Sequence, residues 1–300
     1  MSADHPPRAR AGEPDWMTDG RDWPLRDVSR FVKSGVHTWH VQRFGVGPIL
    51  LLLHGTGAST HSWADAAQLL SSDFDVIVMD LPGHAFTRTR SNFTPTLPAM
   101  AQTILELLDT LDAAPDFVAG HSAGSAIAVQ LASSLGLRGI ASVNGALKPF
   151  PGLMSFVAPV AAKALTVGGL AAFAASRSAR RPGRVERLLS GTGSLPPDQS
   201  VEAYRTLFSR QTHVAGALDM MANWDLTHIP KRLRALDTPL LLLAGDHDRA
   251  VPPNHADQVA GICKHACAQS LPGLGHLAHE EDPELVARLL RDTFLRQSQP

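Results

Sequence analysis

Short apolar runs that recur between helical patterns limit this chain more than any other feature. "PILLLLH" (48–54) and "DVIVMD" (75–80) are continuous apolar runs, as expected of strands covered on both faces. "DFVAGH" (116–121), "RGIASVNG" (138–145) and "PLLLLAG" (239–245) read as further strands, and "ACAQSLPG" (266–273) as a weaker sixth. Between them lie helical patterns: 60–71, "LPAMAQTILELLDTLDA" (97–113) and "SAIAVQLASSLG", expected to end at Gly136. "PELVARLLRDTFLRQ" (283–297) is a closing amphipathic helix. "FVKSGVHTWHVQRFG" alternates and breaks at Ser34–Gly35, which predicts a hairpin ahead of the first buried strand. Strand–helix alternation predicts an α/β fold, with a mostly parallel sheet and helices on both faces.

The alternation stops between 146 and 237, where the pattern is mostly helical. An insertion after the fourth parallel strand sits over the edge where open α/β sheets bind ligands, so 146–237 is a candidate cap. The expected organisation is an N-terminal arm (1–28) with Trp16 and Trp23 as anchors, a core of 29–145 and 238–300, and this cap.

A chain of 300 residues with 44% hydrophobic content has ample material for a core. Lys and Arg number 27 against 28 Asp and Glu, a net charge of −1, so no global field attracts nucleic acid. Cys263 and Cys267 are too few for a disulfide framework, and read as two buried thiols; with His265 between them they still fall short of the four ligands a zinc site wants. No metal and no cofactor is expected. The N-terminal segment has no apolar signal core, which gives a cytoplasmic expectation. The most apolar stretch, 151–176, is interrupted by Lys163 and Gly168–Gly169 and falls short of a spanning helix; it reads as buried or interfacial helices, with contact with a membrane surface as the alternative.

Gly120-His121-Ser122-Ala123-Gly124 fits G-x-S-x-G. Such a match arises by chance in about one chain in ten of this length. Its position between a buried strand and a helix is what gives it meaning, since the nucleophile elbow needs that turn. Flanking glycines leave room where strand and helix nearly touch, and the helix N-terminus offers free N–H groups to a reacting oxygen. A serine hydroxyl needs a base, and the base an orienting acid. His276, in "PGLGHLAHEE" after the last strand, is the candidate base; His279 is a rival, with surface placement beside Glu280 and Glu281 expected instead. "LLLLAGDHDRAVPP" offers Asp246 and Asp248 as acids, giving the chain order Ser…Asp…His. Oxyanion donors, worth about 3 kcal/mol each, are expected from the backbone N–H groups of Ala123 and Thr56, with Gly57 second choice to Thr56; His54 is expected to hold that loop by hydrogen bonds.

"LLLHGTG", "DLPGHAFT", "GHSAGS", "GDHDRAVP" and "GLGH" together resemble the successive signatures of the α/β-hydrolase fold, from about Phe31 to the C-terminus. That resemblance selects Asp248 over Asp246, and it implies Ser122, Asp248 and His276 as a catalytic triad. The family usually has Gly where Ala85 follows "DLPGH". Dehalogenases and epoxide hydrolases of the same superfamily carry Asp at the elbow, which Ser122 argues against. "DGRDWPLRDVSRFV", "VNGALKPFPGL", "GTGS" (191–194), "HVAGALDMMANWDL" and "LGHLAHEEDPE" are similar to one subgroup, the α/β-hydrolase-like accessory proteins of magnesium chelatase in bacteriochlorophyll biosynthesis. The similarity implies a functional link to magnesium chelatase and a small-molecule substrate, a tetrapyrrole among the candidates. A non-catalytic tetrapyrrole-binding protein on the same fold is the alternative. In the cap, Met220, Met221 and Trp224 are candidate walls for a flat apolar ligand, with Trp63 and Phe150 beside them. The arginines of "SRSARRPGRVER" (Arg177 to Arg187) read as a solvated face or as an anion-binding patch.

Overall fold

The computed structural model describes residues 5–90, 93–149 and 169–297. Among the described residues nine strands form one sheet: β1 (Ser29–Ser34), β2 (His37–Gly45), β3 (Ile49–Leu53), β4 (Asp75–Met79), β5 (Arg88–Thr89), β6 (Phe117–His121), β7 (Gly139–Val143), β8 (Leu240–Gly245) and β9 (Ala266–Leu271). Their order is β1-β2-β4-β3-β6-β7-β8-β9, with β5 paired to β2. β1 and β2 form the expected antiparallel hairpin, β2 meets β4 antiparallel, and every pairing from β4 to β9 is parallel.

The core helices are α1 (Ala64–Leu70), α2 (Leu97–Thr110) and α3 (Ala123–Leu131). α4 (Gly169–Ala179), α5 (Arg184–Gly191), α6 (Asp198–Phe208), α7 (Gln211–Ala222) and α8 (Ile229–Ala235) fall between β7 and β8. α9 (His255–Ala260), α10 (Ala278–Glu281) and α11 (Pro283–Arg296) complete the chain. α3 closes at Leu131, ahead of the expected Gly136, because Ser133 and Ser134 turn back onto Gln130 and Leu131.

The apolar runs explain the layers. Leu51, Leu53, Ile77, Met79 and Val118 point to the side packed by α2, α3 and α8. Leu50, Leu52, Val76, Val78 and Ala119 point to the side packed by α1 and α11. Alternate residues of one strand thus reach opposite faces, and both are dry. Each fully buried Leu or Val contributes about 1.5–3 kcal/mol. Helix starts are set locally: Thr96 caps α2 and Asp282 caps α11 through their side-chain oxygens, each with proline in the first turn. α8 lies inside the expected cap interval yet packs as core, with Ile229 and Leu233 in the cluster that contains α3. The two cysteines differ from expectation. Cys263 lies outside any helix and is half-buried, while Cys267 is exposed on β9, a strand at the sheet edge.

The N-terminal arm and the cap both grip the core. Trp16 and Trp23 are buried with Phe31, Phe86 and Leu207, and the Trp23 Nε1–H donates to Thr60 Oγ1 at 3.0 Å. α7 approaches the loop after β4 so closely that a Cβ on Gly216 would stand 2.0 Å from the Gly83 carbonyl oxygen. His213, one turn earlier on α7, accepts the Ala85 N–H at Nδ1 (3.0 Å) and donates from Nε2 to the Gly57 carbonyl (3.0 Å). Ala85 sits at φ 40°, the left-handed region that glycine would take without strain.

α10 corrects one expectation. His279 is fully buried instead of exposed, its ring 4.4 Å from those of both Trp63 and His121. Glu280 is buried as well and accepts a hydrogen bond from Tyr204 Oη of α6 at 2.8 Å. The cap covers this short helix, so residues with a strong preference for water end up beneath it. Burial pushes the Glu280 carboxyl up to about 8.

Two outcomes follow from these contacts. Alanine is about 1 kcal/mol better than glycine in a helix, yet Gly216→Ala forces two backbones apart. The variant is expected to lose about 1–3 kcal/mol, read as a lower midpoint in urea unfolding. Glu280 ionises near its ordinary 4.5 when unfolded and near 8 when folded. The advantage it gives the fold is therefore complete below the lower value and lost as pH rises to the higher one. Melting temperatures of wild type and Glu280→Gln should be similar near pH 5 and should diverge towards pH 8, with the glutamine variant the more stable.

Candidate active site

The carboxyl ends of β3, β6, β8 and β9 bring four loops together. Ser122 stands at the turn from β6 into α3 with φ 51° and ψ −116°, a strained conformation for any residue but glycine. Local packing enforces the turn. A Cβ on Gly120 would lie 2.4 Å from the Gly124 backbone, and one on Gly124 would lie 2.4 Å from the Leu53 carbonyl oxygen. The serine's own backbone is tied down: its N–H donates to Val143 O at 3.1 Å, and its carbonyl accepts from Ser125 and Ala146. Ser122 is half-buried, at the start of a helix whose first N–H groups have no partner within it.

His276 and Asp248 are paired. His276 Nδ1 lies 2.8 Å from Asp248 Oδ2. A carboxylate can only accept, so Nδ1 carries the proton and Nε2 is left as an acceptor. Asp248 is buried, and its other oxygen accepts the N–H groups of Ala250 (2.7 Å) and Val251 (2.9 Å). Asp246, the other acid in that loop, is exposed and receives the Gly273 N–H at 2.7 Å.

Two residues that sequence reasoning did not single out hold the histidine loop. Asn144 Nδ2 donates to the carbonyls of Gly275 and His276, both at 2.8 Å, while its Oδ1 accepts the Gly245 N–H at 2.7 Å. It sits at φ 49°, which asparagine tolerates better than most residues; the Asn-Gly pair closing "RGIASVNG" was the available signal. His121 Nε2 donates to the same His276 carbonyl at 2.9 Å. Ser122 is therefore flanked in sequence by a side chain that bonds the backbone of His276.

The loop after β3 lies beside Ser122, since a Cβ on Gly55 would come 3.0 Å from Ser122 Cβ. His54 locks this loop to the next. Its Nδ1–H donates to Gly55 O at 2.7 Å and its Nε2 accepts the Leu81 N–H at 2.9 Å. Burial, with a smaller contribution from His84, pushes its pKa down to about 3, so the ring stays neutral. Beneath the same loop, burial alone would raise the Asp80 carboxyl. The adjoining His40 ring and the Thr60 N–H outweigh that and hold it below the usual carboxylate range.

Above the loop is a cavity of about 810 Å³, lined by Thr56, Gly57 and mostly apolar cap side chains, including Val185, Leu188, Val214 and Met221. Arg184 is the charged residue among its described lining. The other expected wall residues lie elsewhere. Met220 is fully buried in the core, its sulfur 3.6 Å from Thr56 Oγ1. Trp63 is fully buried in the cluster containing Leu50 and Leu52. Trp224 is partly buried against the opposite cluster. The apolar area of these side chains is already taken up by the sheet and its helices. Phe150 lies outside the described residues. Among the described residues, no group of three or more His, Cys, Asp or Glu could hold a metal ion. Nor, among them, is any helix long and apolar enough to cross a membrane.

Comparison with known proteins agrees with this architecture. The chain is 35% identical to the "Magnesium-chelatase 30 kDa subunit" of Rhodobacter capsulatus over 90% of its own length and 96% of that protein's. A putative lipase from Acinetobacter baumannii superposes with a TM-score of 0.76 at 22% identity, covering 90% of this chain and 91% of the lipase. A thermophilic esterase from Thermogutta terrifontis gives 0.71 at 22% identity, covering 90% and 99%. The family model for the alpha/beta hydrolase fold matches residues 48–283, and the chain belongs to that family.

Proposed function

We propose that this chain is a serine hydrolase of the ester or amide type. The observation that carries the reading is Ser122: a strained strand-to-helix turn lifts it to the sheet edge where His276 is paired with Asp248 at 2.8 Å. In the proposed reaction Ser122 Oγ attacks the substrate carbonyl carbon and its proton passes to His276 Nε2. Asp248 fixes the ring and stabilises the imidazolium. The backbone N–H groups of Ala123 and Thr56 hold the developing oxyanion, each contributing about 3 kcal/mol. The proton then moves from His276 to the leaving group. Water, activated by the same histidine, releases the acid from the acyl-enzyme.

The cavity suits a large apolar substrate, being near the upper end of the ~300–1,000 Å³ typical of small-molecule sites. Arg184 at its wall matches a carboxylate carried away from the scissile bond. The likeness to a protein named as a magnesium-chelatase subunit supports a link to that enzyme and to bacteriochlorophyll biosynthesis. A tetrapyrrole ester with a free propionate joins these features. The same cavity also favours a second reading, in which the protein holds a tetrapyrrole without cleaving it.

A fluorophosphonate probe separates the two. Labelling of wild type that is abolished in Ser122→Ala and reduced by at least about 10³-fold in His276→Ala is the expected outcome. No labelling of folded wild type, together with porphyrin binding that Ser122→Ala leaves intact, would favour the binding protein. For a porphyrin ester with a free propionate, Arg184→Ala is expected to raise KM and leave kcat nearly unchanged.

A further inference from the structure

The four cap residues 192–195, between α5 and α6, do not face the cavity. They lie against the two loops that carry the proposed acid and base. The Thr192 carbonyl accepts the N–H of Arg249, the residue after Asp248, at 3.0 Å. Gly193, at φ 88°, packs so tightly that a Cβ would come 1.9 Å from the carbonyl oxygen of His247, the residue before Asp248. Ser194 Oγ accepts the N–H of Leu277, the residue after His276, at 2.7 Å, and is buried there. A Cβ on Gly275, the residue before His276, would lie 2.3 Å from the Gly193 carbonyl oxygen. Glu281 closes the arrangement: Oε1 accepts the Gly275 N–H at 2.9 Å and Oε2 the Leu195 N–H at 3.1 Å.

Asp248 and His276 are thus each bracketed, on both sides in sequence, by contacts to one short cap segment. From the core, Asn144 and His121 reach His276 only through carbonyl groups. The Leu277 N–H is left to the cap, and Ser194 satisfies it.

We propose that Ser194 is a positioning residue for the proposed base, and that residues 192–195 make the cap a structural part of the acid–base pair as well as a cover. The inference rests on the serine-hydrolase reading. Ser194 holds the Leu277 backbone, which sets the direction of the His276 ring between Asp248 on one side and Ser122 on the other. A displacement of the cap is therefore felt at Nε2 before it is felt at the pocket wall.

The test is the fluorophosphonate labelling rate of the full chain across pH for wild type, Ser194→Ala and Ser194→Thr, with thermal unfolding alongside. Ser194→Ala is expected to label about 10- to 100-fold more slowly, with a displaced pH midpoint and a melting temperature close to wild type. Ser194→Thr keeps the acceptor oxygen and is expected to remain within about threefold of wild type. Wild-type rate and midpoint in Ser194→Ala would overturn the proposal. So would equal slowing in both variants with equal loss of melting temperature, which would mark a packing role only. Should Ser194→Ala fail to fold, Glu281→Ala, at a half-buried position, removes the second tie and is expected to shift rate and midpoint in the same direction; an unchanged Glu281→Ala profile would overturn the clamp. If wild type does not label, the hydrolase reading fails by itself. The clamp is then read from the titration of ¹³C-labelled His276, whose ring faces Asp248, His121 and His279. A midpoint shifted between wild type and Ser194→Ala supports it, and an identical midpoint overturns it.

Discussion

Burial of the parallel sheet on both faces is the constraint from which the rest of this structure follows. Because β3, β6, β7, β8 and β9 all run the same way, their connections leave from one edge. The turns after β3, β6, β8 and β9 then have nowhere to go but towards one another. Leu53 and Gly124 show how tight this convergence is, since the helix after β6 starts against the carbonyl of the neighbouring strand. The strain at Ser122 is affordable because two dry faces hold the strands that flank it.

Much of this was legible in the sequence, because the signals are local. A run such as "ILLLL", bounded by Pro48 and Gly55, has the length of a buried strand and is short for a helix, and the hairpin break at Ser34–Gly35 is turn chemistry. The elbow is legible for the same reason: two glycines at fixed distances from a serine report a backbone approach. Asp248 over Asp246 needed the resemblance to a known family. Spacing alone did not decide it; in the structure the contact with His276 and the burial of Asp248 distinguish the two carboxylates.

What escaped sequence reading depends on contacts across long separations. His279 looked like a surface residue because two glutamates follow it, and it is buried because the fold brings the rings of Trp63 and His121, both more than 150 positions earlier, against it. Trp63 and Met220 have the chemistry of pocket walls but were claimed by the core. Asn144 sits in an Asn-Gly pair that signals a turn and Ser194 ends "GTGS", but neither pattern names a partner; their roles appear only when the carbonyl or N–H they satisfy is known. Buried polar groups must be paired, and the identity of the partner is a tertiary fact.

The histidines have a consequence that reaches beyond the site. His54, His61, His84, His121, His213 and His279 are all buried, and burial drives each below its ordinary value, to about 3 or 4 where the shift is resolved as a number. They remain neutral in the fold and take up protons when the chain opens. Below pH ~6.5, folding is therefore a proton-releasing reaction, and each such ring can subtract up to about 1.4 kcal/mol of stability per pH unit. Their losses add in the same direction, across the loops after β3 and β4, the end of β6, the cap helix α7 and the short helix α10. Acid thus weakens this fold through rings at its centre, among them His213, which joins the cap to the core.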